Sequence, residues 1–380
     1  MIKKIIILGP AHPYRGGIAL FNERLAAEFQ KEGVDVEIQT FTLQYPNFLF
    51  PGKTQYAEGD APENLKIERS LNSVNPLNWI KVARKIKKIQ PDILLIRYWL
   101  PFMAPSLGTV ARIVRKNKKI KVLSLVDNII PHEKHPGDRI FSSYFVKSVD
   151  GFVVMSKSVL HDLKTFDKKK PKLFSPHPLY DNFGQKTDKT TSLQKLNLNP
   201  EYSYVLFFGL IRDYKGLDLL LEAFADKRFT ELKIKLIVAG EFYSNEAKYN
   251  TIIDKFNLHE SVIIHNRFIP DNEVTYYFGA ADIIAQPYKS ATQSGVTQIG
   301  YHFEKPMLVT NVGGLAEIIP DGKAGYVVDV NPKDIADKLI DFFENNRQND
   351  FVENIKEEKK KYEWNKMTDT IRELYDVVNK

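Results

Sequence analysis

Twice along this chain an apolar run ends in a glycine-bearing turn that leads straight into a helical pattern. The first is Lys4–Leu8, followed by Gly9 and then Gly16-Gly17; the second is Tyr204–Phe208, followed by Gly209 and then Lys215-Gly216. A strand that is apolar on both faces must be covered on both faces, which is the habit of a parallel sheet with helices on either side. Runs of the same kind recur at Val34–Thr40, Ile93–Ile96, Lys121–Val126 and Gly151–Met155, separated by helical patterns. Residues Ile18–Lys31 place Phe21, Leu25 and Phe29 on one helical face and stop at Gly33. This alternation predicts an α/β doubly wound domain.

With 380 residues the chain exceeds what one hydrophobic core usually supports, so two domains are expected. The polar stretch 183–200 contains no strand pattern and reads as the linker. Beyond it the alternation restarts at Tyr204–Phe208, with a helix over Lys215–Ala225. Apolar runs follow at Ile234–Ala239, Ser261–His265, Ile283–Gln286, Met307–Thr310 and Tyr326–Val328. The expected division is residues 1–185, residues 186–363, and a last helix within 364–380 that aligns Met367, Ile371, Leu374 and Val378. Two Rossmann-like doubly wound domains would face each other across a cleft, with ligands at the C-terminal ends of the strands.

Charge and composition remove several classes. The net charge of +7 is uneven: residues 1–185 carry 29 basic and 17 acidic side chains, the remainder 25 and 30. The absence of Cys excludes thiol catalysis and thiolate metal sites. No apolar run reaches the roughly 20 residues of a membrane span, and MIKKIIILGP is too short for a secretory leader. A cytoplasmic protein is expected, peripheral on the membrane face. No nucleic-acid recognition module is visible.

Four segments could carry chemistry. Gly16 and Gly17 open the first helix, where backbone amides can approach an anion. Gly209, Arg212, Lys215 and Gly216 form the corresponding turn of the second domain, offering two cations to a diphosphate. The run Thr292-Gln293-Ser294-Gly295-Val296 precedes a helix containing Gln298, again with amides and short polar side chains at a strand end. The fourth segment, Asp127, Asn128 and His132 with His135, gathers titratable groups after a first-domain strand. An Asp-Asn capping turn accounts for that segment equally well. Its histidines show no HExxH or H-x-x-x-H spacing, so a metal is not required. The G-x-G-x-x-G fingerprint of a dinucleotide site is absent, which sets a dehydrogenase aside.

In their order and spacing these segments, with Pro287…Lys305-Pro306, Val312-Gly313-Gly314…Glu317 and Gly325-Tyr-Val-Val, resemble the GT-B glycosyltransferases of family 4. The resemblance covers nearly the whole chain. It implies retaining transfer of a sugar from a nucleotide-sugar donor to a glycan or lipid-linked acceptor, without cofactor or metal, in surface polysaccharide or glycolipid synthesis. It also implies a C-terminal helix, Trp364–Asn379, that returns to the first domain. Lys215 would neutralise the donor diphosphate, Gln293 to Val296 would hold phosphate or sugar, and Gly17 would admit the sugar. Arg267 and Phe268 would lie near the base. An acceptor approaching on the leaving-group face needs no protein nucleophile, so Asp127 or His132 would orient hydroxyls.

The chain departs from that pattern at three places. Leu210 stands where the family has Arg after the glycine of the diphosphate turn, and Arg212 is the candidate replacement. Ala291 and Ile299 stand where it has two Glu, leaving Gln293 and Gln298 to supply hydrogen bonds. Asp127-Asn128 stands where many members have His. A catalytically weak partner subunit and a nucleotide-sugar 2-epimerase are the rival readings. Basic stretches at Lys81–Lys88 and Arg112–Lys119 point to an anionic membrane surface as a further partner.

Overall fold

The computed structural model describes residues 2–46, 54–57, 59–131, 135–181, 183–243, 245–291 and 294–380. The chain forms two compact units: residues 1–178 with 363–380, and residues 179–362.

Unit 1 runs β1 (Lys4–Leu8), α1 (Gly17–Lys31), β2 (Asp35–Leu43), β3 (Lys66–Asn72), α2 (Pro76–Ile89), β4 (Ile93–Tyr98), α3 (Ala104–Arg115), β5 (Lys121–Val126), α4 (Asp138–Val146), β6 (Gly151–Val154), α5 (Lys157–Phe166) and β7 (Lys172–Phe174). Its strands lie in the order β3-β2-β1-β4-β5-β6-β7, and each pairing is parallel. The central strands are buried along their whole length, as their unbroken apolar sequences require. Helix starts follow local chemistry: Asn75 accepts from the amides of Leu77 and Asn78 ahead of α2, and Ser156 caps α5 through Val159 N. On α1, Phe21, Leu25 and Phe29 are fully buried at the helical spacing of their face. Each such side chain contributes roughly 1.5–3 kcal/mol by leaving water.

Unit 2 runs α6 (Lys189–Lys195), β8 (Ser203–Phe208), α7 (Leu217–Ala223), α8 (Arg228–Glu231), β9 (Ile234–Ala239), α9 (Glu246–Phe256), β10 (Val262–His265), α10 (Asp271–Ala280), β11 (Ile283–Gln286), α11 (Gly295–His302), β12 (Met307–Thr310), β13 (Gly325–Val328), α12 (Pro332–Glu344) and α13 (Gln348–Glu358). Its parallel sheet has the order β10-β9-β8-β11-β12-β13. Both sheets therefore reverse direction beside their first strand, between β1 and β4 and between β8 and β11. In doubly wound sheets that switch point is where ligands bind.

The chain then re-enters unit 1 as α14 (Trp364–Asn379), which packs on α1 and on β5, β6 and β7. Trp364, Met367, Ile371 and Leu374 are its buried face. Trp364 meets Phe21 with ring centroids 4.9 Å apart, and Thr368 donates to Glu32 at 2.6 Å.

Two local expectations are corrected. The stretch read as a linker contains α6, capped by Asp188 accepting from Thr191 N, with Ser192 buried against Gly279 of α10. The unit boundary lies earlier, between Pro178 and Leu179. The helix expected over Lys215–Ala225 begins at Leu217, because Asp213–Lys215 closes a 3-10 turn ending in left-handed Gly216.

Candidate functional site: the strand ends of unit 2

The turn after β8 is tied to its neighbours before it reaches the helix. Gly209 N donates to Ala239 O and Ile211 N to Glu241 O, at 2.9 and 2.8 Å. Lys215 N then returns to Arg212 O at 2.9 Å, which folds the two cations of the turn onto one short loop. Gly216 has φ +71°, and a β-carbon there would lie 1.9 Å from Pro287 O, so only glycine fits. The turn after β8 is thereby pressed onto the turn after β11. Lys289 N donates to Tyr214 O at 2.7 Å and fastens the two.

Between these turns sits the Lys215 ammonium. It lies 3.3 Å from the point where a side chain on Gly209 would begin, and the same point is 3.7 Å from Val296 Cγ2 on α11. Its ring neighbour is Tyr288, 5.7 Å away. Only 9% of Lys215 is exposed, and burial, assisted by the charge of Arg212, lowers its pKa to about 8. Among the described residues no carboxylate pairs with Lys215 or Arg212. The acids of the turn are taken by other cations: Asp218 accepts from Lys248 and Lys289 at 2.8 and 2.7 Å, and Asp213 pairs with the same two lysines. Arg212 lies 5.4 Å over the Tyr243 ring. Two cations with no counter-ion among the described residues, at a switch point, make this turn a candidate anion site.

Helix α11 closes the site from the other side. Ser294 is its N-cap, accepting from Val296 N at 3.2 Å and sharing a 3.3 Å hydrogen bond with the Tyr288 hydroxyl. Gln298 is wholly buried, and neither amide atom has a partner among the described residues. Such a group is costly unless something else satisfies it.

At the edge of the sheet, Arg267 pairs with Glu273 and reaches the Tyr277 hydroxyl at 3.4 Å, while Phe268 is 45% exposed. A cavity of about 570 Å³ opens there, lined by Lys195, Asn197, His265, Arg267, Tyr276 and Tyr277 among others.

In unit 1, Asp127 is engaged. Arg97 Nε donates to Asp127 Oδ2 at 2.6 Å and Nη2 to Oδ1, with both residues buried. The guanidinium lies 4.0 Å over the Phe21 ring, and its Nη1 is buried without a partner among the described residues. His177, edge-on to the same ring, is held neutral by burial, with its pKa lowered to about 3. Gly16 is the N-cap of α1 and supplies no side-chain cap, and Gly17 is the first helical residue. Among the described residues no cluster of His, Asp or Glu is placed to hold a metal ion.

Residues 188–361 match the family described as glycosyl transferases group 1. An uncharacterized glycosyltransferase of Methanocaldococcus jannaschii is 25% identical over 100% of this chain and 99% of its own length. The chain thus carries, across most of unit 2, the sequence pattern of the group 1 glycosyl transferases. It is also 22% identical to the D-inositol 3-phosphate glycosyltransferase of Corynebacterium urealyticum, across 75% of this chain and 71% of that one. Solved structures share its GT-B fold. Sucrose-phosphate synthase of Thermosynechococcus elongatus superposes with a TM-score of 0.76 at 16% identity, covering 99% of this chain and 100% of that one. Anabaena HepE in complex with UDP superposes with 0.74 at 13%, covering 98% and 100%.

Within unit 2 the structure brings Gly209, Lys215 and Val296 together, with Arg212 and Ser294 on the same two turns and Gly295 opening α11. Arg267 and Phe268 lie apart, at the end of edge strand β10, two strands from β8. Asn128 follows Asp127 and is half-buried. His132, Thr292 and Gln293 lie outside the described residues. Sequence reasoning missed His177 and the pairing of Arg97 with Asp127.

Proposed function

We propose that this chain is a retaining, metal-independent glycosyltransferase of family 4 that moves a sugar from a nucleotide sugar to a glycan or lipid-linked acceptor, in surface polysaccharide or glycolipid synthesis. Lys215 carries the reading: a buried ammonium with no counter-ion among the described residues, seated between two strand-end turns that meet at the switch point. When the anomeric C–O bond breaks, negative charge grows on the departing diphosphate. Arg212 and Lys215 neutralise it in a site that excludes water, where each interaction is stronger than in solvent. Ser294, Gly295 and Val296 at the start of α11, with Thr292 and Gln293 before them in the sequence, are the candidates to hold phosphate or sugar, and Gln298 contributes its unused amide. Arg267 and Phe268 are the proposed base-side residues.

On unit 1, Gly16, Gly17, Asn128 and His132 are the candidates for orienting sugar and acceptor. Asp127, bound through both oxygens, acts by holding Arg97 in place. The relatives support a sugar-transfer chemistry: HepE has been seen with UDP-glucose, and WaaG is described as involved in lipopolysaccharide biosynthesis. The test is transfer by an Arg212→Ala/Lys215→Ala variant. Removing one such stabilising group typically costs about 10²–10³ in kcat, so an undiminished rate removes the proposal.

One observation favours a second reading, a catalytically weak partner subunit that binds nucleotide sugar. Ala291 and Ile299, at the positions of the family's two Glu, are both buried apolar residues. Donor binding with neither transfer nor hydrolysis would select it.

A further inference from the structure

Helices α2, α3 and α4 form one contiguous layer on the sheet of unit 1, with α3 packed against both of the others. Their sequences are unusual in one respect. Helices α2 and α3 contain no acidic residue, and α4 contains only Asp138, which accepts from His135 N. Lys81, Arg84 and Lys88 are exposed on α2, and Arg115 and Lys116 at the end of α3.

Between α3 and α4 this layer is indented. A concavity of about 480 Å³ is lined by Arg112, Arg139, Ile140, Ser143, Tyr144 and Lys147. Its floor is built to close tolerance. A β-carbon on Gly108 would lie 2.6 Å from Tyr144 Cε1, so the glycine lets the ring lie directly on α3. Thr109 Oγ1 and the Tyr144 hydroxyl share a 2.9 Å hydrogen bond. The Arg112 guanidinium lies 4.1 Å over that ring, and its Nε donates to Ser148 Oγ at 2.9 Å. Among the described residues none of Arg112, Arg139 and Lys147 pairs with a carboxylate. At the lip Ile140 is 73% exposed, and Phe141 beside it 42%.

We propose that the α3–α4 concavity is the point at which unit 1 docks on an anionic bilayer: Arg112, Arg139 and Lys147 take a lipid phosphate, and Ile140 and Phe141 enter the interface. Charge complementarity and the apolar lip select this occupant. A free anion would use the cations and leave Ile140 in water, whereas a membrane surface uses both. The exposed cations of α2 extend the attractive field, but Lys85 there is already paired with Glu68. The inference rests on the reading that the chain works at a membrane and not on its donor chemistry.

The experiment is co-sedimentation of the full chain with vesicles of phosphatidylcholine alone or mixed with phosphatidylglycerol. The expected result is binding to the anionic vesicles only, weakening as salt is raised. Arg139→Glu/Lys147→Glu should lower partitioning at least ~25-fold, since each cation near such a surface contributes roughly a factor of five. Ile140→Asp should lower it even at low salt. Unchanged melting temperatures and unchanged nucleotide-sugar thermal shifts keep these variants interpretable, and separate failure here from failure of the donor reading. Three results would overturn the proposal. The wild type could ignore anionic vesicles at low salt. Glycerol phosphate could bind as tightly as the vesicles. Lys81→Glu/Arg84→Glu/Lys88→Glu could abolish binding while Arg139→Glu/Lys147→Glu does not.

Discussion

Replacing Lys215 with Met should make the ligand-free protein more stable while removing its donor site. Burial, and after it the charge of Arg212, lowers the Lys215 pKa from the ordinary lysine value of 10.5 to about 8. At 1.36 kcal/mol per unit this is about 3 kcal/mol of cost in keeping the ammonium charged in the folded state. The sign follows from proton binding. Between pH 8 and 10.5 the unfolded chain holds the proton and the native site does not, so stability rises with pH across that window. Below pH 8 the full cost is present. Lys215→Met keeps the stem's packing and removes the charge, so at pH 7 the variant should be more stable by up to about 3 kcal/mol. That advantage should shrink as pH climbs from 8 towards 10.5. Paired urea titrations at pH 7 and pH 10 measure it, and the wild-type comparison cancels the other depressed lysines, Lys170 and Lys305. A variant less stable than wild type at pH 7 would refute the reasoning, because the ammonium would then be serving the fold.

Other outcomes follow from the same geometry. Gly216→Ala combines a left-handed backbone with a β-carbon 1.9 Å from Pro287 O, so urea unfolding should show a loss of about 3 kcal/mol or more. Asp127→Asn leaves Arg97 buried and uncompensated and should cost about 3–5 kcal/mol. The double variant Arg97→Met/Asp127→Leu should be less damaging than either single change, and a denaturation cycle would show whether it is. Gln298→Met should stabilise the ligand-free protein by about 1–3 kcal/mol and weaken donor binding. Calorimetry showing unchanged donor affinity would reduce Gln298 to a packing residue.

How much of this was legible in the residues depended on burial. Lys4–Leu8, Lys121–Val126, Ile234–Ala239, Ile283–Gln286 and Met307–Thr310 are strands over the expected residues, because central parallel strands are apolar on both faces. The edge strands of unit 1 escaped for the converse reason. Lys66–Asn72 (KIERSLN) is half solvated, and Lys172–Phe174 has only three residues. Helix α6 hid in a stretch whose polarity reflects its solvent face. The turn Gly209–Gly216 and the run Ser294–Val296 were readable because a glycine or a small hydroxyl at a strand end has a local meaning. The Arg97–Asp127 pair joins neighbouring strands 30 residues apart and left no local pattern. The hydrogen bond of Thr368 to Glu32 spans 336 residues and was equally silent. The basic stretches were visible as charge, whereas their assembly into one helical layer required the order of the strands.

The central claim is that the switch point of unit 2 binds a nucleotide sugar through Arg212 and Lys215. The direct measurement is a thermal-shift series with UDP-, GDP- and ADP-sugars on the wild type and on Arg212→Ala/Lys215→Ala. A donor present at a hundred times its Kd adds about 2.7 kcal/mol to native stability. One donor class should therefore raise the wild-type melting temperature and leave the double variant unmoved. Equal shifts in both proteins, or no shift with any donor, would contradict the account.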